Sequence, residues 1–289
     1  MTETGQELER LRPRLFGLAY RMLGSRQEAE DAVQEALLRW HHKQPSDVRS
    51  MEAWLVTVLS RLCVDRLRTL QVERNAYAGP WLPEPLIAAE QSPDRASELA
   101  SDLSMALLVV LQRLSAEERV GFLMHEIFDC EYSDIAAALG KNEAAVRQLV
   151  HRAREHVRSD KRRFDVPAAA HQRLVAQYVL AVQERDADRI AELLSPDAVF
   201  ISDGGGKAWA ALRPVIGARR IARMEMGVLG KLPPTFSLDI GYVNGRTGAL
   251  GKVDGRIHAV TSFETDGAHI LSVMRVLNPD KLGVAAVRH

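Results

Sequence analysis

Cysteine is nearly absent from this 289-residue chain: Cys63 and Cys130 are the only two, and each sits inside an apolar helical pattern. Two such thiols build neither a disulfide framework nor a cysteine zinc site, so buried thiols are expected. Long apolar runs are missing too. None approaches the roughly 20 residues that a membrane helix needs, and the opening MTETGQELERLRPRL lacks the apolar core of a signal peptide. A cytoplasmic protein with no membrane partner is the expectation. Net charge is also absent: 38 Lys and Arg balance 38 Asp and Glu, which argues against a generally basic nucleic-acid coat. The apolar fraction of 46% is ordinary for a globular protein, and the length leaves room for two or three domains.

What the composition lacks, the distribution supplies. Between 141 and 163 stand Lys141, Arg147, Arg152, Arg154, Arg158, Lys161, Arg162 and Arg163, against Glu143, Glu155 and Asp160. Such a local basic patch suits phosphate contact. Glu28, Glu30, Asp31 and Glu35 form an acidic cluster near the start. Two surfaces of opposite sign imply two kinds of partner.

The segment Tyr132 to Arg158 reads as a helix-turn-helix. Ala136 lets the helices approach, Gly140 takes the left-handed conformation where the first helix stops, and Val146 packs the second back on the first. Ile135, Leu139, Leu149 and Val150 complete a small core at helical spacing. The outward face holds Arg147, Gln148, His151, Arg152 and Arg154, an inventory for base edges and phosphates in a major groove. A plain helical hairpin with a solvated basic face would show the same residues.

Helical periodicity covers residues 7 to 75 almost throughout, broken at Gly24-Ser25 and at Gln44, Pro45 and Ser46. The helix from Met51 to Arg68 carries Trp54, Leu55, Val58, Leu62 and Val64 on its apolar side and Arg61, Asp65, Arg66 and Arg68 on its polar side. From 76 to about 100, Pro80, Pro83, Pro85 and Pro93 punctuate a linker of polyproline character. Its Trp81, Leu82, Leu86 and Ile87 are too apolar for a solvated tether and should dock on a surface. Ser115 and Glu118 are placed as a capping box. From about 168 the class changes: two helices, then strands around a helix near 218 to 230. Asn244-Gly245, Asp254-Gly255 and Asp266-Gly267 fall where hairpins need positive φ. A helical start and a curled antiparallel sheet make an α+β domain that could enclose a pocket.

The order of these blocks resembles bacterial sigma factors of the extracytoplasmic-function group, over roughly residues 7 to 160. WLPEPL, DGGGK and NPDKL resemble the subgroup with a SnoaL-like C-terminal domain, the SigJ type. The resemblance implies a multidomain chain. Two all-α sigma domains, a region 2 bundle and a region 4 helix-turn-helix, precede an α+β cone of the SnoaL-like (NTF2/cystatin-like) kind. The expected boundaries are 1–75 for region 2, 76–101 for the linker, 102–165 for region 4 and 166–289 for the C-terminal domain.

It also implies roles by position. Asp31, Gln34 and Glu35 would dock on the β′ clamp helices of core RNA polymerase, and the β flap would be a further contact. Arg49, Ser50, Trp54, Arg61, Arg66 and Arg68 would open and read the −10 element, the loop from Ser46 to Ser50 capturing a flipped base. Asn142, Ala145, Arg147, Gln148, His151, Arg152 and Arg154 would serve the −35 element of promoter DNA. Leu149 departs from the family, where many members place arginine, so Arg152 and Arg154 are the candidates for phosphates. Trp81, Leu82, Pro83, Glu84 and Pro85, with Asp203, Gly204, Gly205, Gly206 and Lys207 and with Asn278, Pro279, Asp280, Lys281 and Leu282, would form a regulatory interdomain site.

Some relatives of the C-terminal domain use a carboxylate as general acid or base. Asp203, Asp239, His258 and His269 are the titratable candidates here, but no fixed pairing of such groups is visible. A non-enzyme without cofactor or metal is expected, monomeric when free, with a small ligand in the third domain left open. The reading is a promoter-specificity subunit regulated in cis. Its alternative is a one-component helix-turn-helix regulator with a ligand-binding domain, and the acidic face at Asp31 and Glu35 discriminates between them.

Overall fold

The computed structural model describes residues 3–43, 50–88, 104–161 and 166–282. Arg49, the loop residues Ser46 to Arg49, Pro93, Arg162 and Arg163 lie outside the described residues. The chain forms two compact units, one of residues 1–75 and 107–160, the other of 76–106 and 161–289.

The first unit is all helix: α1 (Glu3–Leu23), α2 (Arg26–Lys43), α3 (Met51–Asn75), α4 (Met105–Leu111, entered at 107), α5 (Ala116–Glu126), α6 (Tyr132–Leu139) and α7 (Glu143–Lys161). Gly24, at φ +72°, stops α1 and donates its N–H to the Tyr20 carbonyl at 2.8 Å. Leu15, Leu18, Met22, Leu55 and Leu59 are completely or almost completely buried and supply the core. The apolar stripe of α3 differs from expectation. Leu55, Val56, Leu59, Cys63, Val64 and Leu67 are buried, whereas Trp54, Val58 and Leu62 are half-buried. Packing by both α1 and α2 widens the covered face beyond one stripe, and Trp54 instead meets Trp40 edge-on at 5.3 Å. Burial pushes the Cys63 thiol far up, so it stays protonated. The expected capping box forms: Glu118 N–H donates to Ser115 Oγ at 3.3 Å, and Ser115 N–H donates to Glu118 Oε2 at 3.1 Å.

The second unit is α+β, the class expected. It contains β1 (Ile87–Ala88), α8 (Ala168–Gln183), α9 (Ala187–Leu193), β2 (Leu194–Asp203), β3 (Val215–Ile216), α10 (Ala218–Leu229), β4 (Ser237–Val243), β5 (Arg246–Val253), β6 (Arg256–Thr265), β7 (Ile270–Val276) and α11 (Pro279–Leu282). Sheet order is β1-β4-β5-β6-β7-β2-β3. The sheet is mixed rather than antiparallel, because β2 runs parallel to β7. Parallel neighbours need a long crossover, and here everything from β3 to β6 lies between them. Asn244-Gly245 and Asp254-Gly255 turn with positive φ at both residues, as the tight hairpins β4–β5 and β5–β6 demand. Val175, Tyr178, Val182, Ile190, Phe263 and Val273 join helices and sheet in one core.

The linker is not a free polyproline tether. Leu82, Pro83, Glu84 and Pro85 are buried within this unit. Leu86 N–H donates to Asn244 Oδ1 at 3.1 Å, and Asn244 N–H returns a bond to the Leu86 carbonyl at 2.8 Å. Residues 87 and 88 then pair with Val243 and Tyr242 as an edge strand.

Candidate nucleic-acid interface and linker anchor

The helix-turn-helix is built as its residues dictate. Gly140 caps α6 in the left-handed region at φ +64°, with its N–H on the Ala136 carbonyl. Asn142 Oδ1 accepts from Ala145 N–H at 2.8 Å and starts α7. Ile135, Ala136, Val146, Leu149 and Val150 are buried. Leu149 therefore belongs to the core, which accounts for an apolar residue at that position. Asn142, Arg147, Gln148, His151 and Arg152 are exposed along one side of α7, and Ala145 is half-buried between them.

The arginines of this side already have partners within the unit. Arg147 pairs with Glu143 at 2.8 Å, Arg152 with Glu118 at 3.1 Å and Arg154 with Glu126 at 2.5 Å. Pairs this exposed contribute about 0–1 kcal/mol each, so a phosphate competes for Arg147 and Arg152 on good terms. Arg154 is more committed: its hydrogen bond to Glu126 raises its pKa against a small cost of burial.

On the region expected to read the −10 element, the arginines point to protein groups. Arg61 donates to the Ala137 carbonyl at 2.6 Å and the Ala138 carbonyl at 3.3 Å, at the end of α6. Arg66 makes a two-pronged pair with Glu28 at 2.5 and 2.6 Å, which raises its pKa despite some desolvation. Arg68 reaches Glu117 at 3.3 Å. Ser50 caps α3 through Ala53 N–H at 3.1 Å. Arg119 donates to the Met22 carbonyl at 2.7 Å, tying α5 to α1. Asp31, Gln34 and Glu35 share an exposed side of α2, with Glu35 held by Arg39 at 2.8 Å. Glu28, grouped with these acids by sequence, instead serves Arg66.

In the α+β unit, three separate motifs converge on one carboxylate. Asp203 ends β2 with no exposed surface. Its Oδ1 accepts from Tyr77 Oη at 2.6 Å, and its Oδ2 accepts from Leu82 N–H at 2.8 Å and Lys281 Nζ at 2.6 Å. Its carbonyl accepts from Leu277 and Asn278 N–H at 2.7 and 3.0 Å. Lys281 also donates to the Leu82 carbonyl at 2.6 Å and lies 4.0 Å from the Trp81 ring centre. Lys207 pairs with Asp280 at 2.5 Å. Gly205, at φ +61°, sits so close that an added Cβ would fall 2.3 Å from Asn278 Nδ2 and 2.9 Å from Tyr77 Oη. Pro279 is exposed, whereas Leu282 is buried. Tyr77 was missed by sequence reasoning, because a tyrosine ahead of a Gly-Pro break carries no signal of its own. Burial and the neighbouring Asp203 push its hydroxyl well above the ordinary range.

Asp239 pairs with Lys252 at 2.9 Å, while His258 and His269 are exposed. Among the described residues the buried histidine is His171, with Nε2 on the Thr247 carbonyl at 2.9 Å and Nδ1 beside Thr265 Oγ1 at 3.2 Å. No helix among the described residues is long and apolar enough to cross a membrane.

A helical unit with an acidic face and a helix-turn-helix, fused to an α+β unit that holds the intervening linker, defines a DNA-binding factor with an appended accessory domain. The Sigma-70 region 2 family matches residues 8–72, and the Sigma-70, region 4 family matches residues 104–157. The ECF RNA polymerase sigma factor SigJ of Mycobacterium tuberculosis (strain ATCC 25618 / H37Rv) is 37% identical over 287 residues, covering 95% of this chain and 92% of the relative. The probable ECF RNA polymerase sigma factor SigI of the same strain is 34% identical over 184 residues, covering 63% of each. The crystal structure of M. tuberculosis SigJ has 34% identity, covers 98% of this chain and 99% of its own, and gives a TM-score of 0.80. The chain belongs to the extracytoplasmic-function RNA polymerase sigma factors of the SigJ type. It is a transcription initiation factor for core RNA polymerase and promoter DNA, and the one-component regulator is not favoured.

Proposed function

We propose that the α+β unit controls this sigma factor in cis and that Asp203 is the control point. The observation that carries this reading is the convergence of Tyr77, Leu82 and Lys281 on the Asp203 carboxylate. The segment joining region 2 to region 4 is thereby fastened to the accessory domain, which sets the freedom of the two DNA-binding blocks. The hold of Arg61 on the Ala137 and Ala138 carbonyls supports a closed form in which α3 and the helix-turn-helix are locked together. Opening exchanges these internal contacts for polymerase and DNA. A partner drives it only as far as it binds the open form better.

In the open form Asp31, Gln34 and Glu35 dock on the β′ clamp helices, and region 4 meets the β flap. Arg147, Gln148, His151 and Arg152 read the −35 element, and Arg61, Arg66 and Arg68 the −10 element. The domains follow as region 2 to about 75, the linker to about 101, region 4 to about 165 and the regulatory domain beyond. The free protein acts as a cytoplasmic monomer, and the accessory domain binds rather than catalyses.

Run-off transcription with purified core polymerase tests this. Wild type, Asp203→Asn and a chain ending at 161 are compared on one promoter. A change in specific initiation of threefold or more in both variants is expected. Equal initiation by all three would sink control by the accessory domain.

A further inference from the structure

The cone of the α+β unit is hollowed by a chamber of about 1340 Å³ that is open to one side, larger than the roughly 300–1,000 Å³ of ordinary small-molecule sites. Its inner wall is apolar, built by Phe200, Met224, Val228, Leu238 and Ala259. An apolar chamber this large forfeits the dispersion contacts that packed side chains would make, unless something fills it. Deep inside, Glu225 accepts from Tyr178 Oη at 2.7 Å and takes a two-pronged bond from Arg275 at 2.8 and 3.0 Å. Arg275 Nε donates to Thr261 Oγ1 at 3.0 Å and the guanidinium lies over Phe200. Tyr178 and Arg275 between them engage both oxygens of the Glu225 carboxylate.

Charge around the lining is one-sided. Among the described residues, Lys207, Lys231, Lys252, Arg256 and Arg275 line the chamber against a single acid, Glu225, which pairs with Arg275. Asp280 and Asp239 balance Lys207 and Lys252. Among the described residues, no acid forms an ion bridge with Lys231 or Arg256 at the lining. Lys231 lies 4.9 Å from the ring centre of Trp209, which is 72% exposed. The loop carrying Trp209 continues directly from Gly205, which packs against Tyr77 and Asn278, and Ala211 N–H ties it back to Ser202 Oγ at 2.9 Å.

We propose that this chamber is a binding site for a small amphipathic organic anion, its apolar body inside the cone and its acid group beside Lys231 and Arg256. An exposed tryptophan at the entrance supplies a flat apolar contact for the part between. Because the entrance loop and the Asp203 cluster share residues 203–207, occupancy has a short route to the linker. That coupling rests on the regulatory reading above; the binding site does not.

Titration of the full-length protein with 1-anilinonaphthalene-8-sulfonate, an aryl sulfonate, is compared with N-phenyl-1-naphthylamine, the same ring body without the charge. One saturable site is expected, with the sulfonate bound about tenfold more tightly at low salt, as one or two charges at screened distance allow. Lys231→Gln with Arg256→Gln should erase that difference while keeping the neutral probe. Ala259→Phe, with Val228→Trp as a second filler if the first disturbs the circular dichroism spectrum, should abolish both. Absence of a saturable site, binding that survives both fillers, or equal affinity for the two probes would overturn the proposal. Run-off transcription with the sulfonate at saturation separates the two readings. A bound probe without effect on initiation leaves the site standing and removes its coupling to the linker.

Discussion

At the scale of single residues, Asp203 decides more than any other side chain of the α+β unit. A buried carboxylate is costly unless its lone pairs are filled and a cation is near. Here a phenol, a backbone amide and an ammonium meet it, and two of those donors come from the linker. Asp203→Asn removes the ion partner of a largely buried lysine. The expected loss is about 3 kcal/mol for the unit, seen as a lower chemical-denaturation midpoint. Amide exchange should also quicken at Leu82 and Leu86. Gly205→Ala brings a Cβ into Asn278 at a left-handed φ and should cost at least about 2 kcal/mol. An unchanged melting temperature would contradict the crowding. His171 gives a pH signature. Burial holds its pKa below the ordinary 6.5, so the unfolded chain gains a proton first as pH falls. Its contribution is complete above pH 6.5 and is lost below, levelling off beneath the folded value. His171→Gln should flatten that part of the stability profile, measured by denaturation across pH 5 to 8.

At the scale of elements, the start of α5 does two jobs. Glu118 closes the capping box and holds Arg152. Burial works against its ionised form, but the Ser115 bonds and Arg152 outweigh it, so its pKa lies below the usual carboxylate range. Glu118→Ala should cost about 1 kcal/mol through the lost cap. It should also raise affinity for duplex −35 DNA about twofold by freeing Arg152, in gel-shift titration. Arg152→Ala should lower the salt slope of that binding by about 0.9. An unaltered slope would place Arg152 off the DNA. Helix α7 was legible from sequence because its 3.6-residue pattern separates Val146, Leu149 and Val150 from Arg147, Gln148 and His151. The pattern of α3 was less so. Neighbours on more than one side cover it, and periodicity alone does not say how wide a buried face is. β1 was hidden for a different reason: residues 87 and 88 become a strand by borrowing the edge of β4, where Ile87 pairs with Val243 and Ala88 with Tyr242, partners far away in the chain.

At the scale of the whole molecule, zero net charge conceals a segregated one. Acids lie on α2, cations on α7, and the cationic chamber belongs to the other unit. Two compact units, each with its own core, should unfold in two calorimetric transitions. Asp203→Asn should lower one of them and leave the other in place; a single shifted transition would mean that the units unfold together.

The sequence by itself determined the sigma-type helical blocks, the helix-turn-helix, the α+β class of the C-terminal part and the three motifs WLPEPL, DGGGK and NPDKL. These depend on local periodicity, caps and turn residues, which act over a few positions of chain. Only the tertiary structure decided that Asp203 receives Tyr77, Leu82 and Lys281, that β2 lies parallel to β7, that Arg61 and Arg66 are engaged within the protein, and that five cations line one chamber. Each of those facts joins residues far apart in sequence. Such pairings are set by which buried charges find partners and which strand edges find mates, and no local pattern records them.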